Sequence, residues 1–196
     1  DINLTGDSNP TNFTRVSSNE IYFSADDGSS GQELWVTDGT TLGTRLVKDI
    51  NTTALGVGSD PDGFFVSNGQ IYFFADDGVK GRELWTTDGT AQGTQLVLDL
   101  NPDAPDGFDG NTLGEINGKQ LVVADDGSTG WELWATDGSA AGTSLVKNIN
   151  TTSANASTTF GEADGYFQNK ILFTADDGVN GQELWITDGT ETGTYM

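Results

Sequence analysis

Four copies of one motif, spaced about 50 residues apart, constrain this chain more than any other feature. Glu-Leu-Trp occurs at Glu33-Leu34-Trp35, Glu83-Leu84-Trp85, Glu132-Leu133-Trp134 and Glu183-Leu184-Trp185. Successive tryptophans are 50, 49 and 51 residues apart. Ala-Asp-Asp-Gly precedes each copy, beginning at Ala25, Ala75, Ala124 and Ala175. Thr-Asp-Gly follows each, and then Gly-Thr at Gly43-Thr44, Gly93-Thr94, Gly142-Thr143 and Gly193-Thr194. A period of this length fits a propeller blade or a solenoid coil, units that bury their faces only against neighbours.

The second unit shows the local pattern. Phe64-Phe65-Val66 is a short apolar run ended by Asn68-Gly69, a pair suited to a two-residue hairpin turn. Ile71-Tyr72-Phe73-Phe74-Ala75 follows; apolar side chains on both faces mark a strand covered on both sides. Asp76 to Gly81 turns the chain, Arg82 to Thr86 forms a third strand, and Thr94 to Leu98 forms a fourth. No long segment keeps a helical period. The pattern predicts an all-β fold, a β-propeller of four blades with four antiparallel strands each. The repeat units run 1–48, 49–98, 99–147 and 148–196 within a single propeller domain.

The ends are phased as a ring requires. Tyr195-Met196 aligns with Arg45-Leu46, and Asp1-Ile2-Asn3 aligns with Asp49-Ile50-Asn51. Neither end resembles the capping repeat of an open solenoid. The alternative architecture is half of an eight-bladed propeller, closed by a second copy or by further sequence.

The string F-x-A-D-D-G-x-x-G-x-E-L-W-x-x-D-G-T-x-x-G-T, followed by L-V-K-D-I-N, resembles the ELWxxDGT repeat family. The likeness spans the whole chain. The third unit departs from it with Ser139 for Thr and Val122-Val123 for the aromatic pair. The resemblance implies a propeller-like fold in secreted or surface proteins of bacteria, often associated with calcium, and implies no particular activity.

Charge narrows the partners. The chain has 30 acidic and 8 basic residues, a net charge of −22. Such a field repels nucleic acid and anionic membranes and attracts divalent cations. There is no Cys and no His, which removes disulfides, thiolate ligands and the commonest general base. The apolar fraction of 34% rises toward the globular norm of about 45–50% once the 27 glycines are counted. No run of about 18 apolar residues offers a membrane helix. No basic-then-apolar start resembles a signal peptide, so an export signal is expected to have been removed or to lie elsewhere in a longer precursor.

Sixteen of the 30 acidic residues belong to the repeat itself, and recurrence in every unit is read first as structural. Asp38, Asp88, Asp137 and Asp188 are expected to cap turns, and the four ELW tryptophans to fill the wedges between blades. Calcium is the functional reading of the paired acids Asp26/Asp27, Asp76/Asp77, Asp125/Asp126 and Asp176/Asp177, because that ion takes six to eight oxygens, often from clustered carboxylates. No segment has EF-hand spacing. The loops Ser59–Gly63 and Asp103–Gly110 are also acidic.

Departures from symmetry are the better guide to a ligand. Trp131 stands where the other units have Gln32, Arg82 and Gln182, and such a ring stacks on sugars or anchors a partner. Arg82, with nearby Lys80, offers a rare positive charge for a carboxylate ligand. Phe108 and Tyr166, with Phe167, are placed in or near inter-blade loops. The sequons at Asn3, Asn12, Asn51, Asn150 and Asn155 are taken as chance matches in Asn- and Thr-rich loops. The expectation is of an extracellular or cell-surface binding or scaffold module for adhesion or matrix assembly, non-catalytic and not an enzyme, with a glycan, a protein or its own copies as partner. The alternative is a lectin-like propeller with several related sites. A carboxylate glycosidase would need two acids across one cleft, and nothing singles out such a pair.

Overall fold

In a computed structural model the chain is described over residues 1–103, 106–153 and 157–196, and the side chains of 162–164 lie outside that description. The Asn155 sequon and the Ala104-Pro105 part of the acidic loop therefore lie outside the described residues. The chain is all-β, of the β-propeller class, and no helix occurs among the described residues.

Four antiparallel sheets follow one another along the sequence. The first holds β1 (Thr11–Arg15), β2 (Ile21–Asp26), β3 (Gln32–Thr37) and β4 (Arg45–Lys48). The second holds β5 (Asp62–Ser67), β6 (Gln70–Asp76), β7 (Arg82–Thr87) and β8 (Gln95–Leu98). The third holds β9 (Phe108–Ile116), β10 (Lys119–Ala124), β11 (Glu132–Thr136) and β12 (Ser144–Lys147). The fourth holds β13 (Thr159–Phe167), β14 (Lys170–Asp176) and β15 (Gln182–Thr187), with a single bridge from Ile186 to Tyr195 where a fourth strand stands elsewhere. Strand order within every sheet is sequential. By its contacts the chain forms two compact units, Asp1–Asp99 and Leu100–Met196, each with two sheets.

Local chemistry sets the turns. Asn68-Gly69 and Asn117-Gly118 take positive φ at both residues, the geometry that suits a right-twisted hairpin. The fourth sheet obtains the same turn from Gln168 (φ 50) and Asn169 (φ 57). In the Thr-Asp-Gly turns, Asp38 Oδ1 accepts from the Thr40 N–H at 2.9 Å and the Thr40 hydroxyl at 2.7 Å. Asp88, Asp137 and Asp188 do the same with Thr90, Ser139 and Thr190. These are the expected Asx turns. The Gly-Thr pair downstream is explained with them. A Cβ on Gly43, Gly93, Gly142 or Gly193 would collide with the capping carboxylate. The Thr after it shares a hydrogen bond with the Thr before the Asp: Thr37 with Thr44, Thr87 with Thr94, Thr136 with Thr143 and Thr187 with Thr194, at 2.6–2.7 Å.

Packing follows from strand alternation. In Glu-Leu-Trp, Leu and Trp are neighbours on one strand and so point to opposite faces. Within the first unit, Tyr22, Leu34, Val36 and Val47 of the first sheet share a core with Phe73, Ala75 and Trp85 of the second. Within the second unit, Leu121, Val123, Leu133, Ala135 and Val146 of the third sheet share one with Ile171, Phe173, Ala175 and Trp185 of the fourth. Within each unit, the leucine face of the first of its two sheets covers the tryptophan face of the second. The four tryptophans are 6–8% exposed, and Trp85 and Trp185 pack between the two sheets of their own units.

Replacing Gly93 with Ala forces Asp88 off its turn. The expected cost is about 1–3 kcal/mol, the usual range for overpacking, read as a lower urea midpoint at unchanged slope. An unchanged midpoint would dissociate the Gly-Thr pair from the Asp cap.

Candidate functional site

Three of the motif's four glutamates are not surface acids; Glu183 is exposed. Glu33, Glu83 and Glu132 are 0% exposed. The Glu33 carboxylate accepts from the backbone N–H of Ile50 (2.9 Å), Asn51 (3.2 Å) and Ser59 (3.0 Å), and from the Ser59 hydroxyl. One side chain of the first sheet thereby gathers the linker to the second and the residues just before β5. Glu132 repeats this in the second unit, accepting from Ile149 N–H (2.7 Å), Asn150 N–H (3.2 Å) and the Thr158 hydroxyl (2.8 Å). Burial pushes both carboxyls up to about 7, against the opposing pull of these donors. Sequence reasoning counted these glutamates among the structural acids of the repeat but gave them no specific role. The available signal was their constancy inside an otherwise apolar strand.

The paired acids close their own turns. Asp26, Asp76, Asp125 and Asp176 each accept from the N–H of the following Gly at 2.6–2.8 Å. Asp27, Asp77, Asp126 and Asp177 each accept from the N–H groups two and three residues on, at 2.7–3.1 Å. The Asn180 and Val179 amides hold Asp177 below the ordinary carboxylate value. Burial would raise Asp27 and Asp126, but the donors of Ser29 and Ser30, and of Ser128 and Thr129, together outweigh it. Among the described residues no three acidic side chains gather as a metal ion would need.

Each Asp-Asp-Gly turn also receives an asparagine from the linker before its sheet. A Cβ on Gly28, Gly78, Gly127 or Gly178 would lie 2.5–2.7 Å from Oδ1 of Asn3, Asn51, Asn101 or Asn150. These glycines all have φ between 76° and 85°, so two independent constraints exclude a side chain there.

The asymmetric residues differ in their surroundings. Trp131 is half-buried and packs on the core of the second unit. It borders a groove of about 340 Å³ with Val123, Phe160, Asp109, Asn111 and Ser157. Its N–H donates to Ser157 Oγ at 3.2 Å, and its carbonyl accepts from Thr158 N–H at 2.8 Å. Asp109 accepts from the Asn111 backbone and side-chain N–H, both at 2.8 Å. The equivalent Gln32 instead bridges Ser24 Oγ (2.9 Å) and the Asn9 carbonyl (3.0 Å). Arg82 forms an ion pair with Asp62 at 2.8 Å and donates to the Asp60 carbonyl at 3.1 Å. Lys80 pairs with Asp99 at 2.6 Å. Both cations are thus engaged by the protein's own acids.

Phe108 begins β9 fully buried, at 0% exposure, rather than on a loop. Tyr166 is 64% exposed, and its hydroxyl accepts from Glu115 N–H at 2.7 Å, tying β13 to β9. Within the second unit the groove beside Trp131 is lined by neither Phe108 nor Tyr166, and Arg82 belongs to the first unit. Of the two acidic loops, Ser59 is fully buried on Glu33.

No protein-family model matches the chain. No curated protein matches it either. Among solved structures it is similar to puromycin hydrolase and to a mutant of that protein complexed with PGG, with TM-scores of 0.53 and 0.57 at 15% identity. Each match covers 95% of this chain, which spans 28% of the hydrolase's length. At this identity the likeness shows the fold alone. It overturns the expectation that the chain is not an enzyme, since the solved proteins that share its fold are hydrolases.

Raised carboxyls give the clasp a pH signature. The folded value of about 7 lies above the ordinary 4.5, so the folded state binds more protons between the two. The contribution of Glu33 and Glu132 is therefore complete below pH 4.5 and lost as pH rises toward 7. The capping aspartates act in the opposite sense, losing theirs as pH falls below 3.8. The stability difference between wild type and Glu132→Gln, from urea titrations at stepped pH, should fall between pH 4.5 and 7 and then level off. A flat difference would contradict burial as the cause.

Proposed function

We propose that the chain is a binding and scaffold module of the cell surface or extracellular space, serving adhesion or matrix assembly, and that it takes a saccharide at the Trp131 groove. The groove is the observation that carries this reading. An indole bordering it supplies a flat apolar face for a sugar ring. The carboxylate of Asp109, the amide of Asn111 and the hydroxyl of Ser157 supply polar groups around it. Small-molecule sites combine apolar lining with a few such groups. Trp131 belongs to one unit only, so this is a single lectin-like site and not a fourfold one. The extracellular setting rests on the resemblance to the ELWxxDGT repeats and on the charge of −22.

Calcium enters this reading through that charge, which draws divalent cations to the acidic turns. Binding to the native state raises the melting temperature. The expected outcome for metal-stripped protein is a rise of several degrees with millimolar calcium and none with magnesium. An unchanged melt removes calcium from the proposal.

A glycan array followed by calorimetry tests the site. Trp131→Ala should weaken binding of a retained glycan by about tenfold or more, as removal of an interface hot spot does, with Trp131→Phe intermediate and the fold intact by circular dichroism. Equal binding by wild type and Trp131→Ala would exclude the groove.

A second reading rests on the solved structures. The chain would be the propeller portion of a longer hydrolase, matching 28% of such a protein. Turnover of puromycin by the protein would favour it.

A further inference from the structure

One ion pair recurs in altered form from sheet to sheet. In the second sheet Lys80, in the Asp-Asp-Gly turn, pairs with Asp99, the residue after β8, at 2.6 Å. In the third sheet Thr129 stands where Lys80 does and Asn148 where Asp99 does, so both charges are gone together. In the first sheet Ser30 replaces the lysine but Asp49 keeps the acid. Asp49 is half-buried, and its Oδ1 is enclosed without a hydrogen-bond partner. Among the described residues no cation pairs with it. The acid is thus retained where its internal partner has been removed.

Asp49 borders a pocket of about 370 Å³ with Ser29, Ser30, Thr52, Ala54 and Leu55, all within the first unit. The Gly56 N–H donates to the Ser29 carbonyl at 2.8 Å and holds the linker against the turn. The hydroxyls of Ser29 and Ser30 donate to Asp27 at 2.8 and 3.5 Å, which leaves their oxygens as acceptors. Leu55, 95% exposed, adds apolar surface.

The second sheet shows what an acid at this position takes. Lys80 is held above the ordinary lysine value by its hydrogen bond to Asp99 and by the charges of Asp99, Asp77 and Glu83, which outweigh desolvation. Asp49, Asp27 and Glu33 are the counterparts of those three acids. A primary ammonium has three N–H donors and no acceptor, and a carboxylate with two hydroxyl oxygens matches it. Calcium takes six to eight oxygens, often from clustered carboxylates, and Asp49 is the one acid among the described residues lining the pocket.

We propose that this pocket binds a primary ammonium group at the end of an unbranched alkyl chain, the ammonium taking the place at Asp49 that Lys80 takes at Asp99 and the chain lying against Ala54 and Leu55. A free alkyl amine and a lysine side chain on a polypeptide share this chemistry. The inference does not depend on the Trp131 groove.

Amide chemical shifts followed during titration with butylamine test it. The amides of Ser29, Ser30, Asp49 and Thr52 should move and saturate. Tetramethylammonium, which carries the charge without an N–H, should bind more weakly. Asp49→Asn, which copies the third sheet, should weaken butylamine binding about tenfold or more, the usual worth of a hydrogen bond to a charged group. Ser30→Lys, which copies the second sheet, should supply the protein's own ammonium and abolish saturable binding. Both variants should keep the wild-type circular dichroism spectrum. Nα-acetyl-lysine methylamide and spermidine separate the two sources: tighter binding of the first supports a site for polypeptide lysine, and tighter binding of the second supports one for a free amine. No saturable shift with butylamine, equal binding of tetramethylammonium, or unchanged binding in either variant overturns the proposal.

Discussion

A carboxylate in a dry interface holds the repeat together. Glu33 and Glu132 each sit fully enclosed on a central strand and collect backbone amides from the linker that leads to the following sheet. Those amides would otherwise be buried donors with no partner, a cost of about 1–3 kcal/mol each. The acid resolves that problem where the chain leaves one sheet for the next, a place with no strand ladder to do so. Everything downstream depends on this placement: the linker asparagine reaches the next glycine turn, and the next sheet meets the leucine face in register.

The turns show a division of labour among the acids. Those in Asp-Asp-Gly and Thr-Asp-Gly close loops through local N–H groups, and these contacts favour the charged forms of Asp27, Asp126, Asp177 and the four Thr-Asp-Gly aspartates. Glu33 and Glu132 of Glu-Leu-Trp go inside, where burial disfavours charge. The net charge of −22 thus mixes two populations with opposite energetics, and its magnitude alone describes neither. The indole N–H groups of Trp35, Trp85 and Trp134 are buried without a partner in the protein, whereas that of Trp185 donates to the Ala175 carbonyl at 3.2 Å. The fourth unit differs from the others even at its most regular residue.

Much of the architecture was legible because repetition amplifies weak local signals. Asn68-Gly69, the two-faced strand Ile71–Ala75 and the wedge tryptophans all stand where spacing and polarity placed them. The capped turns at Asp38 and its equivalents followed from residue type alone. The buried role of Glu33 was not legible, because single-residue polarity assigns an acid to water and only the tertiary amides reverse that assignment. Phe108 was placed in or near an inter-blade loop as a ligand candidate, and it opens a strand and is enclosed. Arg82 was read as a charge available to a ligand, yet it is engaged by Asp62 and the Asp60 carbonyl. Trp131 emerged by the opposite logic, as a break in symmetry, and it borders a groove.

The opposed directions of Leu and Trp within one strand have a genetic consequence. Every unit carries both halves of the same joint, a donor face and an acceptor face, on adjacent codons. A duplication or deletion of one whole repeat then leaves each surviving joint chemically unchanged. Repeat number becomes a free variable for recombination, and selection acts on it separately from the residues, such as Trp131, that give one blade its individuality.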